Sequence, residues 1–213
     1  MVYDIVAFLS SCLLIGGYAL YLAWRTRHAP DSHVAALNAR FRDRWVEMVM
    51  ANDKMDILAV QTLRNSVMAA NFMASTSVLL IIGALNLSEK IGQWALVWHP
   101  GILANSVSSG LWQIKLGLLL VDFFMAFFCF SMAIRFFNHV GYMINLPSGN
   151  PPHAEHYKLT CAYLNRAGRY YSVGNRTFFF SLPIILWFFG PYFLLLATVG
   201  LIVALAVLDR IPA

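Results

Sequence analysis

The side chain of this sequence best placed to do chemistry is Asp122, the single carboxylate inside the apolar run from Leu111 to Phe137. It lies about ten residues into that run, roughly 15 Å deep at ~1.5 Å per residue. An acid at that depth in hydrocarbon is costly, so it must face protein, find a hydrogen-bond partner or hold a proton. Asn71 and Ser75, in an earlier apolar run, are its candidate partners, and Lys115 precedes it by two turns on the same helix face. Ala126, Cys129 and Ala133 continue that face, and Arg135, Asn138 and His139 close the run with side chains long enough to reach headgroups. Asn71, Ser75, Asp122 and Arg135 are therefore the candidate helix-packing or pathway residues. His153, Glu155, His156 and Cys161 have a spacing that can converge on zinc, but no second cluster supports them, and His99 beside Pro100 is isolated. The histidines fall in loops or at the end of a run, which disfavours haem held across a bilayer. No motif names a reaction. The expectation is a non-enzymatic protein with no metal and no cofactor.

The elements that position these residues follow from composition. Hydrophobic residues make up 60% of the 213, charged residues 12%, and mean hydropathy is +0.65. Soluble domains carry about 25% charged residues, so this chain belongs in a bilayer. Four runs meet the requirement of about 20 apolar residues: 3–24, 66–87, 111–137 and 177–208. The expected fold is all-α, an integral membrane four-helix bundle forming one domain over 1–213, with two additional cytoplasmic amphipathic helices in 25–65 and 138–176. Arg25, Arg27, Arg40, Arg42, Arg44, Lys54 and Arg64 crowd the first of these segments; Lys158, Arg166, Arg169 and Arg176 occupy the second. The positive-inside rule puts both segments in the cytoplasm and, with four spans, both termini outside. The formal charge of +5 is explained by this sidedness, so nucleic acid is not an expected partner. Cys12, Cys129 and Cys161 are odd in number and widely spaced, hence packing residues and not a disulfide framework.

Small residues mark where helices can approach. Ser66, Ala70, Ala74 and Ser77 form one strip at helical spacing; Cys12, Gly16, Ala19 and Ala23 form another. Asp4 is expected to be solvated at the outer end of the first run, and Trp94, Trp98 and Trp112 to anchor at the outer interface. After Ala29-Pro30, with Asp31 or Ser32 as cap, Val34, Leu37, Phe41, Trp45 and Met48 predict an amphipathic helix for a lipid or protein surface, with no strong breaker before the second span. Turn formers from Asn145 to Pro152 precede a second cytoplasmic helix. Pro183 and Gly190-Pro191 predict a broken fourth span.

Gln61 to Ser75 (QTLRNSVMAANFMAS), the approach NRAGRYYSVGNRTFFF and the stretch Phe178 to Leu194 (FFFSLPIILWFFGPYFL) resemble the domain-of-unknown-function family numbered 599, integral membrane proteins of bacteria and plants. The likeness extends over nearly the whole chain. It implies a membrane fold and supplies no catalytic residue. The expected function is an oligomerising or accessory subunit of a membrane complex in the cell (inner) membrane, with membrane lipids and copies of itself or other subunits as partners. The alternative is an ion or small-solute channel or transporter built on Asp122 and the broken fourth span.

Overall fold

The computed structural model describes residues 2–28, 34–89, 109–144, 146 and 154–209. Among the described residues there are six α-helices and no strand: α1 (Val2–His28), α2 (Val34–Met50), α3 (Asp56–Glu89), α4 (Ser109–Ile144), α5 (Ala154–Trp187) and α6 (Pro191–Leu208), with a 3-10 turn at Asp53–Met55. Val2–Trp24, Asp56–Ser88, Gly110–Ile144 and Pro191–Leu208 are long and apolar enough to cross a membrane. Large apolar side chains stand exposed along them, such as Leu13, Phe72, Leu79 and Leu196. Apolar surface of that kind on helices of that length is the mark of a membrane protein. The expected anchors Trp94 and Trp98, His99, the Asp31 or Ser32 cap and the turn from Asn145 to Pro152, Leu146 apart, lie outside the described residues.

The chain forms two compact units: Met1–His33, Ser77–Met125 and Arg176–Ala213 make the first, Val34–Thr76 and Ala126–Asn175 the second.

In the first unit, α1 and α6 run parallel. Ala7 clusters with Leu194, Ser11 meets Thr198, and Tyr18 reaches Asp209, so both chains advance in the same direction. The end of α5 runs the other way beside α4, with Lys115 at Trp187 and Phe123 at Phe178. The expected single broken span over 177–208 is replaced by a hairpin. Its helix continues through Pro183, stops at Trp187, reverses over Phe188–Gly190 and returns as α6, so that Arg176 pairs with Asp209. Gly190 sits at φ 146°, where only glycine is comfortable, and Pro191 then opens α6 with its fixed φ. Because α1 begins at the Trp187 end and α6 finishes at the Arg176 end, Val2 and Leu208 lie at opposite ends of this unit. Hydropathy registers how much chain is apolar, and two antiparallel pieces give the same profile as one long piece.

The second unit packs α2 against the outgoing part of α4 and the incoming part of α5. Val46, Val49, Ala59, Leu63, Val140 and Leu164 are among its buried residues. Of the apolar residues spaced along α2, Trp45 packs against this core. Val46 and Val49 are inside, while Phe41 and Met48 are more than half exposed. The helix also does not continue into α3. Asn52 interrupts it, with an extended backbone and a side chain that accepts from the Lys54 amide, which starts the short turn before Asp56. Along α3, Ala70 has no exposed surface, whereas Leu79 is 68% exposed.

Ala70→Leu should therefore overpack the second unit by about 1–3 kcal/mol and lower the thermal midpoint in detergent by several degrees. Leu79→Ala should leave it nearly unchanged, and the opposite ranking would mean that α3 is turned the other way.

Candidate functional site

Ending α5 at Trp187 strands carbonyl groups in an apolar setting, where each needs a donor. Phe188, Phe189 and Gly190 amides supply three, to Ile185, Leu186 and Trp187 at 3.1 Å each. The Trp187 carbonyl takes a second from Lys115 Nζ at 2.9 Å. That ammonium is also 3.1 Å from Asp4 Oδ1 and 4.8 Å from the centre of the Trp187 ring. Trp187 Nε1 donates to the same Asp4 oxygen at 3.2 Å, and Phe8 stacks on the indole at 5.1 Å. A cation at a helix C-terminus is favourable, and here it is paired and hydrogen-bonded, as a buried charge must be. Asp4 is thus not solvated but held. Trp112, expected as an interface anchor, is buried edge-on against Phe188.

A second polar cluster closes the other end of this unit. Asp209, just past α6, accepts from the Tyr18 hydroxyl at 2.6 Å and pairs with Arg176. Between the two ends, Thr198 donates to the Leu194 carbonyl at 2.7 Å and lies 3.3 Å from Ser11 Oγ. These contacts fasten α1 to the α5–α6 hairpin.

Asp122 differs. It is half-buried on the face of α4 shared by Lys115 and Leu119, both buried, and its Oδ2 has no hydrogen-bond partner among the described residues. Nearby in the same unit, Ile81, Leu119, Phe123 and Phe178 form an apolar cluster.

In the second unit, polar side chains clamp α2 to α5. Arg42 Nε donates to Asn165 Oδ1 at 2.9 Å, and Asn165 Nδ2 donates to Asp43 Oδ1 at 2.7 Å. Gly168 makes the first bond possible, since a Cβ there would lie 2.9 Å from the guanidinium carbon. Burial lowers the Arg42 pKa from its ordinary value. Tyr157 reaches the Asp43 carbonyl at 3.4 Å, and its pKa is pushed up to about 12 by Cys161 and burial. Burial pushes the Cys161 thiol up to about 11, so it is an inert packing thiol and not a nucleophile. His156 meets the Met143 carbonyl at 2.9 Å. No group of three potential metal ligands occurs among the described residues, and His153 is not one of them.

The same unit holds an open cleft of about 400 Å³ lined by Thr62, Asn65, Ser66, Ala69, Phe137 and Tyr171. Of the residues singled out from sequence, Ser66 lines this cleft, Ala70, Ala74 and Ser77 are buried, and Asn71, Ser75 and Arg135 are exposed. Gly16 has open space where a side chain would be. The Asp4–Lys115–Trp187 and Arg42–Asn165–Asp43 groups were not anticipated. Their only sequence signal is charge at positions that the helical period turns inward.

A family model described as "Protein of unknown function, DUF599" matches residues 6–212. No curated protein and no solved structure matches the chain.

The Cys161 thiol should make stability pH-dependent in alkali. An unfolded thiol loses its proton near its ordinary value of 9.0, whereas the folded one holds it to about 11. The folded state binds more protons in that window, so stability is full below pH 9.0 and falls as pH rises through about 11. Thermal midpoints across this range should show the fall, and Cys161→Ala should flatten it.

Proposed function

We propose, from the premise that the chain belongs to the DUF599 family of unknown function, that it is a non-enzymatic multi-pass membrane protein that works by assembling with copies of itself or with other subunits of a membrane complex. The observation that carries this reading is the uncovered strip on α1. Ala7, Ser11 and Tyr18 hold α1 to α6. Roughly 130° round the helix, at about 100° per residue, Cys12, Ala19 and Ala23 are exposed and Gly16 has nothing within 4 Å of where its Cβ would be. Lipid gives small residues no packing advantage, whereas a second helix does.

Charge supports a cell-membrane orientation with the start of α1 outside and with α2 and the first part of α5 in the cytoplasm. The hairpin then brings the end of α6, followed by Arg210, back to the cytoplasmic side, which agrees with the same rule. A carrier or channel is the second reading, favoured by the unpartnered Asp122 oxygen.

Oxidative cross-linking of native Cys12 in isolated membranes should give a linked pair that Cys12→Ser abolishes. Gly16→Leu should shift the mass in mild detergent towards monomer. A wild type that is monomeric and does not cross-link would remove the basis for assembly. Flux measurements in proteoliposomes address the second reading: assembly predicts none, and an ion or proton flux lost in an intact Asp122→Asn protein would favour the carrier.

A further inference from the structure

The cleft of the second unit is independent of the α1 strip, and its lining specifies a ligand class. Thr62, Asn65, Ser66 and Ala69 come from consecutive turns of α3, Phe137 from α4 and Tyr171 from α5. Its wall is built by a close approach. Gly174 lets the Phe130 ring lie where a Cβ would be 2.9 Å away, and Phe130 in turn holds Tyr171 edge-on at 5.8 Å. At about 400 Å³, the space is within the range of small-molecule sites.

The surroundings of the cleft can be read from exposed side chains on two helices. On α3, exposed Gln61, Arg64 and Asn65 form a short polar band between exposed Ile57, Leu58 and Val60 and exposed Met68 and Phe72. On α4, exposed Phe127 and Phe128 give way to exposed Arg135, Asn138 and His139. An occupant of the cleft thus has polar side chains and lipid-compatible surface beside it on the same two helices.

The hydrogen-bond inventory narrows its chemistry. Each hydroxyl has one hydrogen to give and two lone pairs. Thr62 has given its hydrogen to the Leu58 carbonyl at 2.9 Å, and Ser66 to the Thr62 carbonyl at 3.0 Å. What both oxygens still offer is lone pairs. With their hydrogens spent, these two hydroxyls offer an anion no donor, whereas they offer a hydrogen-bond donor two acceptors.

We propose that this cleft is a lipid-headgroup site for a headgroup that donates hydrogen bonds from a primary ammonium, with the acyl chains passing along the exposed apolar side of α3. The headgroup hydrogens meet Thr62 and Ser66, the Asn65 amide and the Tyr171 phenol take the remaining polar atoms, and Phe137 covers the glycerol end. A quaternary ammonium headgroup has no hydrogen to offer and is the natural control.

The full-length protein, reconstituted into bilayers of equal phosphatidylethanolamine and phosphatidylcholine and re-extracted in mild detergent, should retain the first over the second by about tenfold in native mass spectra. Ala69→Trp, which fills the cleft, should return that ratio to unity. Thr62→Val with Ser66→Ala, which keeps size and removes the acceptors, should lower it severalfold while the protein remains folded. Equal retention of the two lipids by wild type, or a preference unaltered by the double substitution, would overturn the assignment.

Discussion

The contact on which the first unit depends is the Lys115 ammonium at the carbonyl end of α5. Reversing a helix within apolar surroundings leaves backbone oxygens that water cannot reach. One cation from α4 caps that end, and Asp4 from α1 neutralises the cation. Three segments distant in sequence meet at one point as a result. The direction of α6 follows from it, because a chain that turns at Gly190 has only the return path open. The contact is therefore an electrostatic solution to a backbone problem. A buried ion pair alone would contribute little net stability, but removing one partner would leave the other charge and the carbonyl without compensation.

Polar groups elsewhere are used in the same economical way. Tyr18, Arg176 and Asp209 close one end of the first unit; Arg42, Asp43 and Asn165 join α2 to α5 in the second. Among the described residues, Asp122 Oδ2 is buried without a hydrogen-bond partner, and in the cleft beside Ser66 the Thr62 and Ser66 hydroxyls keep lone pairs available.

Much of this architecture was legible from sequence because span length and hydropathy are local properties. The helical class and the four apolar runs required nothing beyond counting. Direction and facing were harder. Thr177 to Leu208 looks like one interrupted span because a reversal leaves hydropathy unchanged, and the information that settles it, Arg176 paired with Asp209, is a contact across 33 positions. The polar contacts of α2 were not legible because Phe41 and Met48 are more apolar than Arg42 and Asp43, yet it is the latter pair that α5 engages. Asn52 was passed over as a stop because it lies in a polar stretch where nothing apolar marks a boundary. Lys115 was read only as a neighbour of Asp122 on one helix face, since burial of a lysine becomes intelligible only when its partners from α1 and α5 are beside it.

The parallel pairing of α1 with α6 has a consequence for how the molecule is made. Ser11 and Thr198 are 187 positions apart, and Tyr18 and Asp209 are 191 apart. At about 5–20 residues per second of synthesis, α1 waits roughly 10–40 s for the helix that it will pack against. Throughout that interval its serine and tyrosine are without their final neighbours. α1 is thus made long before it can be seated, and the insertion machinery or a temporary companion in the bilayer must shelter it until α6 arrives.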